Sequence, residues 1–83
     1  ILGIKLKIIQ DIGSHQQLLT ALIPTLSVLM LPGLYQCKTF RAEVVGAFTN
    51  CFPTDAYRGA GRPEATYGIE RIVDCLAVEL GLD

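Results

Sequence analysis

From Pro63 onward the apolar residues Ala65, Ile69, Ile72, Val73, Leu76 and Leu80 recur at helical spacing, and both ends of the run carry boundary residues. Pro63 suits the first helical position, where its missing N–H costs nothing, and Gly81 suits the position just past the last turn. The pattern predicts a helix over about 63–80, and it constrains what lies ahead of it. The stretch Thr54–Glu64, TDAYRGAGRPE, becomes a connection that ends on a helix N-terminus. Such an end exposes unpaired N–H groups and the positive end of the helix dipole, which together favour an anion. Gly59 and Gly61 leave no Cβ to hold a ligand off the backbone, and Arg58 and Arg62 carry planar donor forks suited to an oxyanion. The same residues permit a plainer reading, in which the glycines supply positive φ for a tight turn and the arginines lie in solvent or pair with Asp55 and Glu64. A lone G-x-G does not separate the two, and neither the dinucleotide nor the P-loop spacing is present. Gly68, inside the helix, costs ~1 kcal/mol relative to alanine and suggests another backbone or a ligand packed close by.

Upstream, Ile4, Leu6 and Ile8 alternate with Lys5, Lys7 and Ile9, the period-two pattern of a half-buried strand, and Gly13 ends it. A second alternation runs from Arg41 to Asn50, with Ala42, Val44 and Phe48 on one face and Arg41, Glu43 and Thr49 on the other. Between them lies the uncharged run Gln16–Cys37, whose Leu18, Leu22, Leu26, Leu29 and Met30 follow helical spacing, and Pro32-Gly33 marks a turn. The run is long enough for a membrane span. Pro24, Pro32, Thr20, Thr25 and Ser27, with no basic cluster on either flank, argue instead for a helix buried within a larger protein. The predicted fold class is α+β, in the order strand, helix, strand, loop, helix.

The chain is 51% apolar and 18% charged, whereas a free-standing domain of 83 residues has a large surface to keep polar. With its start at Ile1 and no initiator Met, this composition leads us to expect a single internal fragment, residues 1–83, of a larger domain. The net charge of −1 gives no support to a nucleic-acid surface. Cys37, Cys51 and Cys75 are odd in number, widely spaced and free of any C-x-x-C pair, so they form neither a zinc site nor a disulfide framework. They read as buried free thiols of a reducing, cytoplasmic compartment. His15 stands alone, with no second ligand at metal-binding spacing.

The segment FTNCFPTDAYRGAGRPEATYGIERIVDCLAVELGLD, Phe48–Asp83, resembles the molybdenum-cofactor-binding region of the xanthine dehydrogenase, aldehyde oxidase and aerobic carbon monoxide dehydrogenase large subunits. The core DAYRGAGRPEAT is specific to the carbon monoxide dehydrogenase large-subunit-like branch, and the upstream elements resemble the family more loosely. The resemblance implies a molybdenum–molybdopterin cofactor, with or without an attached cytosine dinucleotide, that oxidises a carbon centre with water as oxygen source. Electrons would leave through 2Fe–2S clusters and FAD on partner subunits or domains. It places Tyr57, Arg58, Gly59, Ala60 and Gly61 on the cofactor, Arg58 beside the molybdenum and Ala60 also towards a small-molecule substrate. The expected partners are the remainder of the large subunit and the iron–sulfur and flavin subunits, with no membrane span.

No catalytic residue is assigned in this chain, because the family's general-base glutamate matches a position far downstream. Copper-containing members carry a cysteine at the position of Gly59, so no copper is expected here. Purine hydroxylases carry a phenylalanine at the position of Ala60 and, by ungapped counting, an arginine at that of Leu26. Their absence points to a wider, less polar pocket for an aldehyde, an N-heterocycle or a similar small substrate. The alternative that the residues leave open is a non-redox anion-binding or assembly module using the same Gly-Ala-Gly loop.

Overall fold

The computed structural model describes residues 1–82, in the order β1 (Ile4–Gly13), α1 (Leu22–Met30), β2 (Phe40–Phe48) and α2 (Arg62–Leu80). This is the predicted α+β order. β1 and β2 pair in parallel, which requires a crossover between them, and residues 14–39 with α1 supply it. The register runs from Ile4 opposite Phe40 to Asp11 opposite Ala47, and it sets Lys7 opposite Glu43. Their ammonium and carboxylate groups lie 3.2 Å apart on the exposed face. After Asp11 the register slips, and Gly13 rather than Ile12 faces Phe48. The extra residue, Ile12, is buried.

The core is built where the elements converge. Leu31, only 1% exposed, packs with Ile4, Ala65 and Ile69, and Leu6, Met30, Phe40 and Val73 close around them. The start of β1, the end of α1 and the first half of α2 therefore share one apolar centre. α2 begins at Arg62 with Pro63 in its first turn and Glu64 beside the positive helix end. It ends in the bonding pattern typical of a helix closed by glycine, with Gly81 N–H donating to Val78 C=O and Leu82 N–H to Ala77 C=O.

Several expectations are corrected. α1 is nine residues long and begins at Leu22, not at Leu18 where the helical spacing starts. Leu18 lies ahead of it and is 91% exposed, because Pro24 is tolerated only near a helix start and so places that start close upstream. No helix among the described residues is long and apolar enough to cross a membrane. β2 ends at Phe48, not Asn50, and its expected apolar face is only partly covered: Ala42 is half-buried, but Val44 and Phe48 are exposed. The thiols are free but not buried, since Cys51 follows the end of β2 and Cys75 lies on an uncovered side of α2. At Gly68 an added Cβ would meet only the Leu31 Cδ1, at 3.5 Å, so no neighbouring backbone accounts for that glycine.

Candidate functional site

The Gly-Ala-Gly bend consists of two overlapping turns set on the start of α2. Ala60 N–H donates to Tyr57 C=O and Arg62 N–H to Gly59 C=O, each at 2.9 Å, and Ala65 N–H to Gly61 C=O at 3.1 Å opens the helix ladder. Both Gly59 and Gly61 have φ of +84°, in the left-handed region that side chains other than glycine adopt at a cost. Their surroundings differ. A Cβ on Gly61 would lie 2.8 Å from Leu26 Cβ, 3.0 Å from Ser27 N and 3.2 Å from Ile23 C=O, whereas one on Gly59 would meet nothing within 4 Å.

Gly61 thus faces α1. Ile23, Leu26 and Ser27 stand at i, i+3 and i+4 of α1, so they share one face, and that face receives the bend. Ser27 can lie there because it is small and its hydroxyl is satisfied by the Ile23 carbonyl at 3.2 Å. Gly59 faces outward into a cleft of about 200 Å³ lined by Ile23, Asp55, Tyr57, Arg58, Ala60 and Glu64, among others. Tyr57 is 82% exposed on its rim. Of the five residues expected at the cofactor, four line this cleft and Gly61 supports them from behind.

The arginines also part company. Arg58 lines the cleft, whereas Arg62 lines a separate groove with Met30, Pro32 and Thr66. Among the described residues neither forms a salt bridge, and the ion pairs present are Lys7–Glu43 and Arg71–Asp74. Of the two arrangements the plainer turn reading allowed, pairing with Asp55 and Glu64 does not occur, and both arginines are exposed. Those two carboxylates nevertheless line the cleft beside one arginine, so its formal charge is not positive. Asp55 is turned onto its own loop, accepting the Ala56 N–H at 2.7 Å. A bulky anion would be held here by directed donors, the Arg58 guanidinium and the amides of Arg58 and Gly59, which make no hydrogen bond among the described residues. Net attraction would contribute little.

The base of the loop is held by residues that no motif singled out. Thr20 donates its hydroxyl to Thr54 C=O at 2.6 Å and accepts the Gln17 N–H at 3.0 Å. The Gln10 amide donates to Thr54 Oγ1 at 3.0 Å, and that hydroxyl donates to Asp11 C=O at 3.3 Å. The Thr49 hydroxyl and Gly13 N–H donate to the Asp11 carboxylate and lower its pKa, the hydroxyl having the larger effect. These contacts span up to 44 residues of sequence, and local patterning carries no signal for them. His15 accepts or donates one hydrogen bond with the Ser14 hydroxyl, and no group of metal-ligating side chains occurs among the described residues.

A family model for the molybdopterin cofactor-binding domain matches residues 1–83, and the chain belongs to that family. Among curated proteins it is similar to the 6-hydroxypseudooxynicotine dehydrogenase complex subunit gamma of Paenarthrobacter nicotinovorans, at 34% identity over 82 residues. The alignment covers 99% of this chain and 10% of that relative, so the chain spans about a tenth of the relative's length.

Proposed function

We propose that this chain is the part of a molybdenum-dependent hydroxylase or dehydrogenase large subunit that presents the Tyr57–Ala60 loop to the cofactor. The observation that carries the proposal is the open position of Gly59: a left-handed glycine with free space where a Cβ would stand, beside an arginine with no carboxylate partner. A turn that needed glycine only for its backbone would account for the φ and for an exposed arginine, so what favours the cofactor reading is that the open glycine and the unpaired arginine line one cleft. When bound, the molybdenum–pterin group supplies the two-electron oxidation of a carbon centre with water as the oxygen source.

The chain's own residues have simpler tasks. Gly59 permits close approach of the backbone, and the Arg58 guanidinium donates a planar pair of hydrogen bonds to an oxygen-rich ligand. Ala60, with Ile23 on the same cleft, leaves room for an aldehyde, an N-heterocycle or a similar small molecule. With glycine at position 59 there is no thiolate for copper. The relative's place in a dehydrogenase complex supports oxidoreductase chemistry and companion subunits, which we propose carry 2Fe–2S and FAD. Three free cysteines fit a reducing, cytoplasmic setting. The branch resembling the carbon monoxide dehydrogenase large subunit remains our reading of the DAYRGAGRPEAT core.

The test is the composition of the purified full-length protein. Molybdenum and pterin in near-stoichiometric amount are expected. A folded full-length protein with neither overturns the proposal and favours a binding module without redox chemistry.

A further inference from the structure

We propose that Thr20 is a positioning residue for the Tyr57–Gly61 loop, its buried hydroxyl fixing the point from which the loop departs. The inference rests on the reading that this loop lies at the cofactor. Between Phe52 and Tyr57 the chain has no regular secondary structure, so neither a sheet ladder nor a helix holds it in place. It is pinned at two points. At its far end Gly61 is lodged against Ile23, Leu26 and Ser27, and at its near end Thr54 C=O takes the Thr20 hydroxyl at 2.6 Å. Both of these contacts lie on the short stretch Thr20–Ser27, the start of α1 and the turn before it, while β1 also holds Thr54 through Gln10 and Asp11 C=O. Together they set the distance the loop must span, and hence how far Arg58 and Gly59 project into the cleft.

Thr20 is fully buried, which is unusual for a threonine unless its hydroxyl is used on both sides. It is so used, donating to Thr54 and accepting from Gln17. Gln10 reinforces the same point through Thr54 Oγ1 at 3.0 Å, although its own Oε1 is enclosed without a partner. The same amide nitrogen lies 3.5 Å from Thr20 C=O, so Gln10 touches both members of the Thr20–Thr54 pair. From Asp55 to Ala60 the hydrogen bonds are those the loop makes to itself, so its reach depends on the anchors.

The experiment uses the full-length protein with three substitutions. Thr20→Val keeps the shape and removes the hydroxyl, Thr20→Ser keeps the hydroxyl, and Gly59→Val tests the cofactor reading separately. Hydrogen exchange is followed at the two hydrogen-bonded amides of the loop, Ala56 and Ala60, and in the middle of α2, together with molybdenum per folded molecule. For Thr20→Val, exchange in the loop should accelerate roughly three- to tenfold, as for loss of one buried hydrogen bond, while the middle of α2 stays unchanged. Molybdenum content should fall, and Thr20→Ser should restore both. Loop exchange at the wild-type rate in Thr20→Val overturns the proposal, as does acceleration spread equally over loop and helix. A loosened loop with full molybdenum content overturns the positioning role. If Gly59→Val keeps its molybdenum while Thr20→Val loosens the loop, the cofactor reading fails and the anchor stands. If Gly59→Val loses molybdenum while Thr20→Val leaves the loop unmoved, the reverse holds.

Discussion

Gly59 and Gly61 are two residues apart, share a φ of +84° and flank the same alanine, yet they face opposite sides of the loop. Gly61 is buried with α1 where its Cβ would be, and Gly59 opens on a cleft with nothing within 4 Å. The lesson is that a glycine-rich bend is not one device. One glycine lets two parts of the protein touch, and the other keeps a surface clear. The arginines repeat the division, Arg58 on the cleft and Arg62 on the groove beyond α2's first turn.

The largest expected effect lies on the packed side. Gly61→Ala should destabilise the full-length protein by roughly 2–5 kcal/mol, the sum of overpacking against Leu26 and left-handed strain. It should appear as a lower melting temperature and a reduced yield of folded protein. A Gly61→Ala protein that melts like the wild type would erase the contrast between the two glycines. Next comes Gly59→Val, which meets no neighbour and should cost only roughly 1–2 kcal/mol of backbone strain. Its main effect should be on molybdenum per folded molecule, which falls several-fold. Metal analysis beside a thermal melt checks this, and full loading would show that Gly59 serves only the turn.

The arginines sharpen the comparison at smaller scale. Arg58→Lys keeps a positive charge and loses the planar fork, so the metal should be retained and turnover slowed, whereas Arg62→Lys should leave turnover unchanged. Steady-state kinetics of the two variants decides it, and equal slowing would place both arginines at the cofactor. The smallest effect belongs to Asp11, below the loop's anchor. Hydrogen bonds from Thr49 and Gly13 hold its pKa below the ordinary aspartate value. The ionised form is therefore the one stabilised by folding, and its contribution is present above about pH 4 and lost as pH falls through the lowered folded value. Asp11→Asn should reduce the melting temperature slightly at neutral pH, and the gap should close in acid. A gap that widened as pH fell would show the sign to be wrong.

Local chemistry was enough for the elements. Apolar spacing, Pro63 and Gly81 located α2 to within one residue of Arg62–Leu80, and period-two alternation with Gly13 located β1, because helix ends and strand faces depend on neighbours a few residues away. The same reasoning overextended α1, where a run of apolar residues says that a segment is buried without saying by what or for how long. It also misjudged the cysteines, whose burial depends on what covers them.

The amino-acid sequence by itself determined that the bend would set two glycines and two arginines at the start of a helix. Only the tertiary structure decided which glycine is jammed and which is open, which arginine joins the cleft, and that Thr20 holds Thr54. Those outcomes depend on α1 meeting a loop some 35 residues further along the chain, a distance fixed by packing around Leu31. Side-chain type specifies what a position can tolerate. What it touches is set by which distant segment the core brings against it.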